Sequence, residues 1–177
     1  MLRNIIVYIV NHATCILPPT RFYQLKSSLY RFAGWNIDPS CRIVSSANFW
    51  GTFNLSIGPD TFIGHEVLIV GGNSTVEIGS NVDIAPRVTI VTGSHHIDMN
   101  GEHSAGTGYS SDVRIEDGTW IGAGTTIIGG ITIGRKSIIG SGSVVNKSIP
   151  PNVIAAGNPC RPIKYWDSQT GWEKIVT

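Results

Sequence analysis

Two adjacent histidines, His95 and His96, end the segment APRVTIVTGSHHID, where an apolar run gives way to the polar stretch SHHIDMNGEHSAGTGYSSD. An imidazole titrates near pH 6.5, so a histidine at such a junction can take a proton from a substrate hydroxyl close to neutrality. Asp98, Glu102 and His103 follow in the same stretch. Each is able to bind hydroxyl groups, to orient a neighbouring histidine, or simply to be solvated. No serine or cysteine stands beside a base as a nucleophile, so direct transfer is expected rather than a covalent enzyme intermediate. Cys15, Cys41 and Cys160 are odd in number and far apart, with no C-x-x-C pair. Neither a disulfide framework nor a structural zinc site is expected, and a reducing cytoplasm is the plain reading.

A rigid scaffold must hold these side chains, and its signature is a period of six. Through IEDGTWIGAGTTIIGGITIGRKSIIGSGSVVNKSIP an aliphatic residue returns at Ile115, Ile121, Ile127, Ile133, Ile139 and Val145. An α-helix would bring the apolar stripe back at three or four residues and a lone strand at two. A period of six marks a repeat. It suits a triangular coil of three short strands, with the aliphatic residue pointing inward on each flat and glycine easing the corners. Three hexads make one coil, and coils stack at sheet spacing of about 4.8 Å. The same inward series is readable earlier, at Ile37 and Ile43, then Ile57, Ile63 and Ile69, and then Ile78, Ile84 and Ile90. The nine-residue step from Ile69 to Ile78 places a small bulge at GGNS, residues 71–74. From about 95 to 112 the period fails, which predicts an extruded loop, and loops on rigid scaffolds are where function tends to sit.

Three segments therefore divide the chain: an N-terminal helical cap over 1–36, the coil over 37–160 and a tail over 161–177. In the cap, residues 2–10 (LRNIIVYIV) are too short to span a bilayer, and no cleavage site of a signal peptide follows. The segment either packs on the coil or a neighbouring subunit, or touches a membrane surface through residues 1–17. TRFYQLKSSLYRFAG predicts a short amphipathic helix with Phe22, Leu25, Leu29 and Phe32 on its packed face, Thr20 capping its start and Gly34 its end. It is expected to lid the open end of the coil. The tail, with Trp166 and Trp172, is expected to pack across the last coil. Charged residues make up only 14% of the chain and the formal net charge is +1, which argues against nucleic-acid binding through a broad basic surface.

The hexads, together with GSGSVVNKSIPPNVIAAGNPCRPIK, resemble those of the hexapeptide-repeat acyltransferases, and residues 50–164 are most similar to the sugar O-acetyltransferases of galactoside, maltose and polysaccharide-biosynthesis type. The resemblance implies a left-handed parallel β-helix; the period alone leaves the handedness open. It also implies transfer of an acetyl group from acetyl-CoA to a sugar hydroxyl, with no metal required. On the family spacing His95 takes the position of the catalytic base and His96 one where relatives often have proline. Counting back from TVEIG (75–79), His65 falls where the galactoside enzyme has an acceptor-contacting asparagine, a departure that leaves the acceptor's identity open. Asp98, Glu102 and His103 are the further candidates for acceptor contact. For the donor the matching positions are Ala123 in WIGAG and Ser141 in IGSGS along the pantetheine arm, and Asn146, Lys147 and Arg161 at the CoA phosphates. The resemblance further implies a homotrimer with sites shared between subunits, the His95 loop and the donor positions lying about three coils apart. With the cysteine usage, the expected location is the cytoplasm, at the inner face of the membrane if residues 1–17 touch lipid. Acetylation of an amino sugar or of serine, and a non-catalytic scaffold of the same fold, are the competing functions. The zinc-dependent carbonic anhydrases built on hexapeptide repeats need an H-x4-H pair and a third histidine, which His95, His96 and His103 do not supply.

Overall fold

The computed structural model describes residues 2–175. Short strands wind into about five turns of a three-sided parallel solenoid. Coil 1 consists of Asn36–Ile37, Arg42–Ile43 and Asn48–Gly51; coil 2 of Asn54–Ile57, Phe62–Ile63 and Leu68–Gly71; coil 3 of Thr75–Ile78, Asp83–Ile84 and Thr89–Val91. Coil 4 consists of Val113–Ile115, Trp120–Ile121 and Thr126–Ile128, and coil 5 of Ile131–Ile133, Ile138–Ile139 and Val144–Val145. The first, second and third strands of successive coils pair in parallel and form the three faces.

Register follows the hexad. On the first face Ile57, Ile78, Ile115 and Ile133 lie over one another. On the second face the column is Ile63, Ile84, Ile121 and Ile139. On the third it is Phe49, Ile69, Ile90, Ile127 and Val145. Every one of these side chains is buried. The step expected at GGNS is present, since the third strand of coil 2 ends at Gly71 and coil 3 begins at Thr75.

The corners explain the small residues between the inward ones. Thr119, Thr125 and Ser143 are buried, and their hydroxyls donate to the carbonyls of Glu116, Gly122 and Gly140 at 2.6, 2.8 and 2.6 Å. Those carbonyls point along the bend, where no strand pairs with them, so the hydroxyl supplies the missing partner. At Gly122 a side-chain carbon would sit 2.6 Å from the backbone nitrogen of Ser141 in the next coil, so only glycine allows the turns to close at sheet spacing.

Two helices, α1 (Leu2–Cys15) and α2 (Tyr23–Phe32), cover the N-terminal end of the solenoid and share one core with coil 1. α1 buries Val7, Val10, Asn11 and Thr14, and the Asn11 amide donates to the edge carbonyl of Phe49 at 2.8 Å. α2 corrects the expectation from its sequence. Its buried residues are Lys26, Ser27 and Tyr30; of the expected face Leu29 packs against the core, half-buried, whereas Phe22, Leu25 and Phe32 are exposed. The end of the coil presents polar groups beside the apolar cluster of Trp35, Phe49 and Phe53, and α2 meets the polar groups with donors. Ser27 donates to the Cys41 carbonyl, and Lys26 Nζ donates to the Pro19 carbonyl and to Ser45 Oγ. Burial lowers the pKa of this lysine. Thr20 does not cap α2; Phe22 precedes it in a left-handed conformation without a side-chain cap. Gly34, with φ +94°, does end it, donating to the Arg31 carbonyl.

The tail also departs from expectation. After Val153–Ala156 joins the second face, Arg161–Asp167 and Gly171–Lys174 continue that face as an antiparallel hairpin. Trp166 and Trp172 face each other across it with ring centroids 5.3 Å apart, so the tail prolongs one sheet and does not pack across the coil.

Candidate active site

The extruded segment is a β-hairpin. Gly93–Ile97 pairs with Ala105–Ser110 in antiparallel register, His95 lying opposite Gly108. The register shifts between His95 and Ile97. Successive side chains of a strand leave opposite faces, and the two histidines part. His96 stacks on Tyr109 with centroids 4.6 Å apart. His95 places Nδ1 2.7 Å from the Gly106 carbonyl oxygen. That oxygen can only accept, so in the neutral ring Nδ1 carries the proton and donates it, and Nε2 presents its lone pair outward. The ring is oriented by backbone, and Gly106 has no room for a side chain, since an added carbon would lie 2.9 Å from Asp98 Cβ and 3.1 Å from the His96 carbonyl oxygen. An open depression of about 420 Å³ lies at His95, lined also by Asn73, Gly93, Ser94, Gly108, Tyr109 and Ser110.

Asp98, Glu102 and His103 lie at or near the hairpin tip, and none of them is hydrogen-bonded to the His95 ring. Asp98 Oδ1 accepts from the backbone N–H groups of Asn100 and Gly101, both at 2.9 Å, and so holds the turn. Glu102 and His103 are exposed there. Of the roles open to these three residues, orienting His95 falls instead to the Gly106 carbonyl.

His65, Ala123 and Ser141 stand elsewhere, on the ridge where the second face turns into the third. His65 and Ala123 line one open depression of about 500 Å³ with Glu66, Pro86, Arg87 and Gly124. Ser141 lies one coil beyond, and Gly142 N–H donates to the Ala123 carbonyl. A pair that sequence reasoning missed belongs to this ridge. Arg87 Nε donates to Glu66 Oε2 at 2.7 Å, joining corner residues of adjacent coils, and both residues adopt left-handed backbone. The spacing of 21 residues between them equals one turn with the GGNS insertion, and that was the signal available. Asn146 and Lys147 follow the end of the third face in coil 5. Arg161 Nη1 donates to Asn146 Oδ1 at 2.9 Å and to the Cys160 carbonyl at 2.6 Å, so Asn146 and Arg161 form one polar group.

The third face separates the two halves of the site. Its leading margin carries His65, Ala123 and Ser141, and its trailing margin releases the hairpin after coil 3. Coil 5, which holds Ser141 and Asn146, is two coils from the hairpin, not three. His95 and Ala123 line separate depressions.

Residues 112–147 match the family model for "Bacterial transferase hexapeptide (six repeats)". A solved maltose O-acetyltransferase from Clostridium difficile 630 superposes with a TM-score of 0.74 at 31% identity, over 94% of this chain and 88% of that one. The chain belongs to the hexapeptide-repeat acyltransferase family. Its solenoid is thus the left-handed parallel β-helix of those enzymes. The galactoside O-acetyltransferase of Escherichia coli K12 is 46% identical over 121 residues, 66% of this hexapeptide-repeat chain and 51% of that protein. The hexapeptide-repeat acetyltransferase of Vibrio cholerae O1 biovar eltor, solved in complex with acetyl coenzyme A, shares the fold at 21% identity, with a TM-score of 0.62 over 94% of this chain and 88% of that one. The chain spans about half the length of the curated relatives it matches.

Proposed function

We propose that this protein is an acetyltransferase that moves an acetyl group from acetyl-CoA to a sugar hydroxyl. The observation that carries the reading is the His95 ring, held by the Gly106 carbonyl so that Nε2 faces outward as a base. The acceptor hydroxyl gives its proton to Nε2 while its oxygen attacks the thioester carbonyl. The carbon–sulfur bond then breaks, and the departing thiolate takes the proton back from the imidazolium. A backbone N–H steadies the oxyanion between these steps. The names of the galactoside and maltose enzymes support a sugar as acceptor, and we extend the reading to surface polysaccharide assembly.

The donor side rests on chemistry suited to a thin amide chain ending in phosphates. Ala123 and Ser141 keep a low profile on the ridge, and Lys147 and the Asn146–Arg161 pair supply charge and donors beyond it. In one chain these positions face away from the hairpin across the third face, so we assign the working form as a homotrimer in which the hairpin of one subunit meets the ridge of the next. The outer side of the third face supports this, since Trp50, Val70, Val91 and Ile128 form one apolar row on it. We propose the cytoplasm as its location, where acetyl-CoA is available.

The test is CoA release from acetyl-CoA with galactosides, maltose-type glucosides, amino sugars and serine as acceptors, beside sedimentation of the active species. Turnover is expected with sugar hydroxyls in a trimer. Faster turnover of serine or of an amino group would overturn the acceptor assignment, an active monomer the shared site, and failure to bind acetyl-CoA the whole reading.

A further inference from the structure

The lid presents the wrong surface to water. α1 and α2 turn polar as well as apolar side chains toward coil 1, and leave Ile5, Ile9, Ile16, Leu25 and Phe32 exposed on the outer side. Ile16 and Phe32 are 86% and 79% exposed, and it is several such side chains on one element, not one alone, that mark an interaction surface. Charge on the same segment has one sign. Residues 1–35 contain Arg3, Arg21, Lys26 and Arg31 and no Asp or Glu. Arg3 is tied to Asn54 and the Thr52 carbonyl, and Lys26 is buried, whereas Arg21 and Arg31 are exposed beside the apolar residues. The first acid, Asp38, lies close enough to Arg31 for the guanidinium to help lower its carboxyl pKa, although hydrogen bonds from Ser40 do so more.

From this surface we infer that the lid docks the solenoid end-on to an anionic lipid bilayer, the isoleucines and Phe32 entering the headgroup boundary and Arg21 and Arg31 meeting lipid phosphates. Apolar side chains flanked by arginine are the composition of helices that lie in a membrane interface. α1, with 14 residues, lies on the surface, and no described helix is long and apolar enough to cross. A second copy of the lid fits less well. Two such faces would set arginines against arginines with no acid in either lid to answer them. The inference does not depend on acetyl transfer.

The experiment is co-sedimentation of the full chain with vesicles of phosphatidylglycerol and phosphatidylcholine in equal parts, against phosphatidylcholine alone. Binding to the anionic vesicles is expected to be at least tenfold tighter and to weaken with salt. Arg21→Gln and Arg31→Gln should each lose about fivefold. The double variant Ile16→Ser, Phe32→Ser should lose tenfold or more. All four side chains are exposed, so an unchanged unfolding midpoint establishes that the lid is intact. Equal affinity for the two vesicle types, or no binding, overturns the proposal. So does unchanged vesicle binding by the double variant with a fall in its sedimenting mass, which would make the face a protein contact.

Discussion

The hairpin of residues 93–110 and coils 4 and 5 behind it are both β-structure, yet they use side chains in opposite ways. In the coils each strand sends an isoleucine or valine into the tube, and the corners are closed by glycines and buried hydroxyls. In the hairpin His95, His96, Gly108 and Tyr109 are exposed, and order comes from the strand pairing, the Asp98 turn and the His96–Tyr109 stack. Burying one aliphatic side chain contributes about 1.5–3 kcal/mol, so stability resides in the coils. The reactivity we propose resides where the repeat stops, because an exposed imidazole can move a proton and a buried isoleucine cannot. The two properties should separate on mutation.

The sharpest test of that separation is His95→Ala. It should lower kcat by roughly 10²–10⁴ and leave the unfolding midpoint and acetyl-CoA affinity where they were, while His96→Ala stays within a few-fold of the parent. Loss of activity in the His96 variant instead would move the base by one residue and break the argument from the Gly106 carbonyl. The converse change is Ile127→Ala, in the third-face column. Here urea unfolding should show a loss of about 2–5 kcal/mol, with kcat per folded molecule little altered.

Next in size is an alkaline transition in the lid. Burial holds the Tyr30 phenol at about 12, although its hydrogen bond with Thr14 acts the other way. The folded state keeps that proton more tightly than the unfolded chain, whose tyrosine titrates near 10. The stabilisation is therefore complete below about pH 10 and is lost as pH rises to about 12, a span worth about 3 kcal/mol. Unfolding measured across that window should show the slope, and Tyr30→Phe should flatten it. The smallest effect concerns binding alone. Lys147→Ala or Arg161→Ala should raise the KM for acetyl-CoA on the order of tenfold with kcat nearly kept, since phosphates sit far from the reacting carbonyl. If both variants keep the parental KM, the donor lies elsewhere.

Where one residue type repeats at one spacing, the sequence declared its structure: the inward column from Ile57 to Val145 could be read before any coordinate was known. The lid was legible as helical but not in its facing. Phe22, Leu25 and Phe32 look like a packed stripe, yet the side set against coil 1 is the one where Ser27 donates to the Cys41 carbonyl, Lys26 donates to Ser45 Oγ and the Tyr30 ring packs on Trp35 and Phe49. The hairpin was legible only as an interruption, since GSHHI and AGTGYS have no alternation of apolar and polar residues to announce strands. His95 could be singled out by family spacing, whereas its partner could not, because the group that orients it is a backbone carbonyl and leaves no mark on residue type. The Glu66–Arg87 pair depends on which corners stack, and that becomes clear only once the turns are counted through GGNS.

A column of identical isoleucines keeps no count. Slide one turn of such a tube past its neighbour by a whole repeat and every inward side chain finds the company it had before. The N-terminal turn removes that ambiguity. There Trp35 stacks on Phe53 at 5.7 Å, meets Phe49 edge-on at 5.6 Å, and lies against Tyr30 at 5.8 Å, a cluster of rings that no isoleucine-lined turn has the space to accept. That cluster acts as the zero of the scale: it can occupy only the first position, and each later turn takes its place by order of arrival behind it.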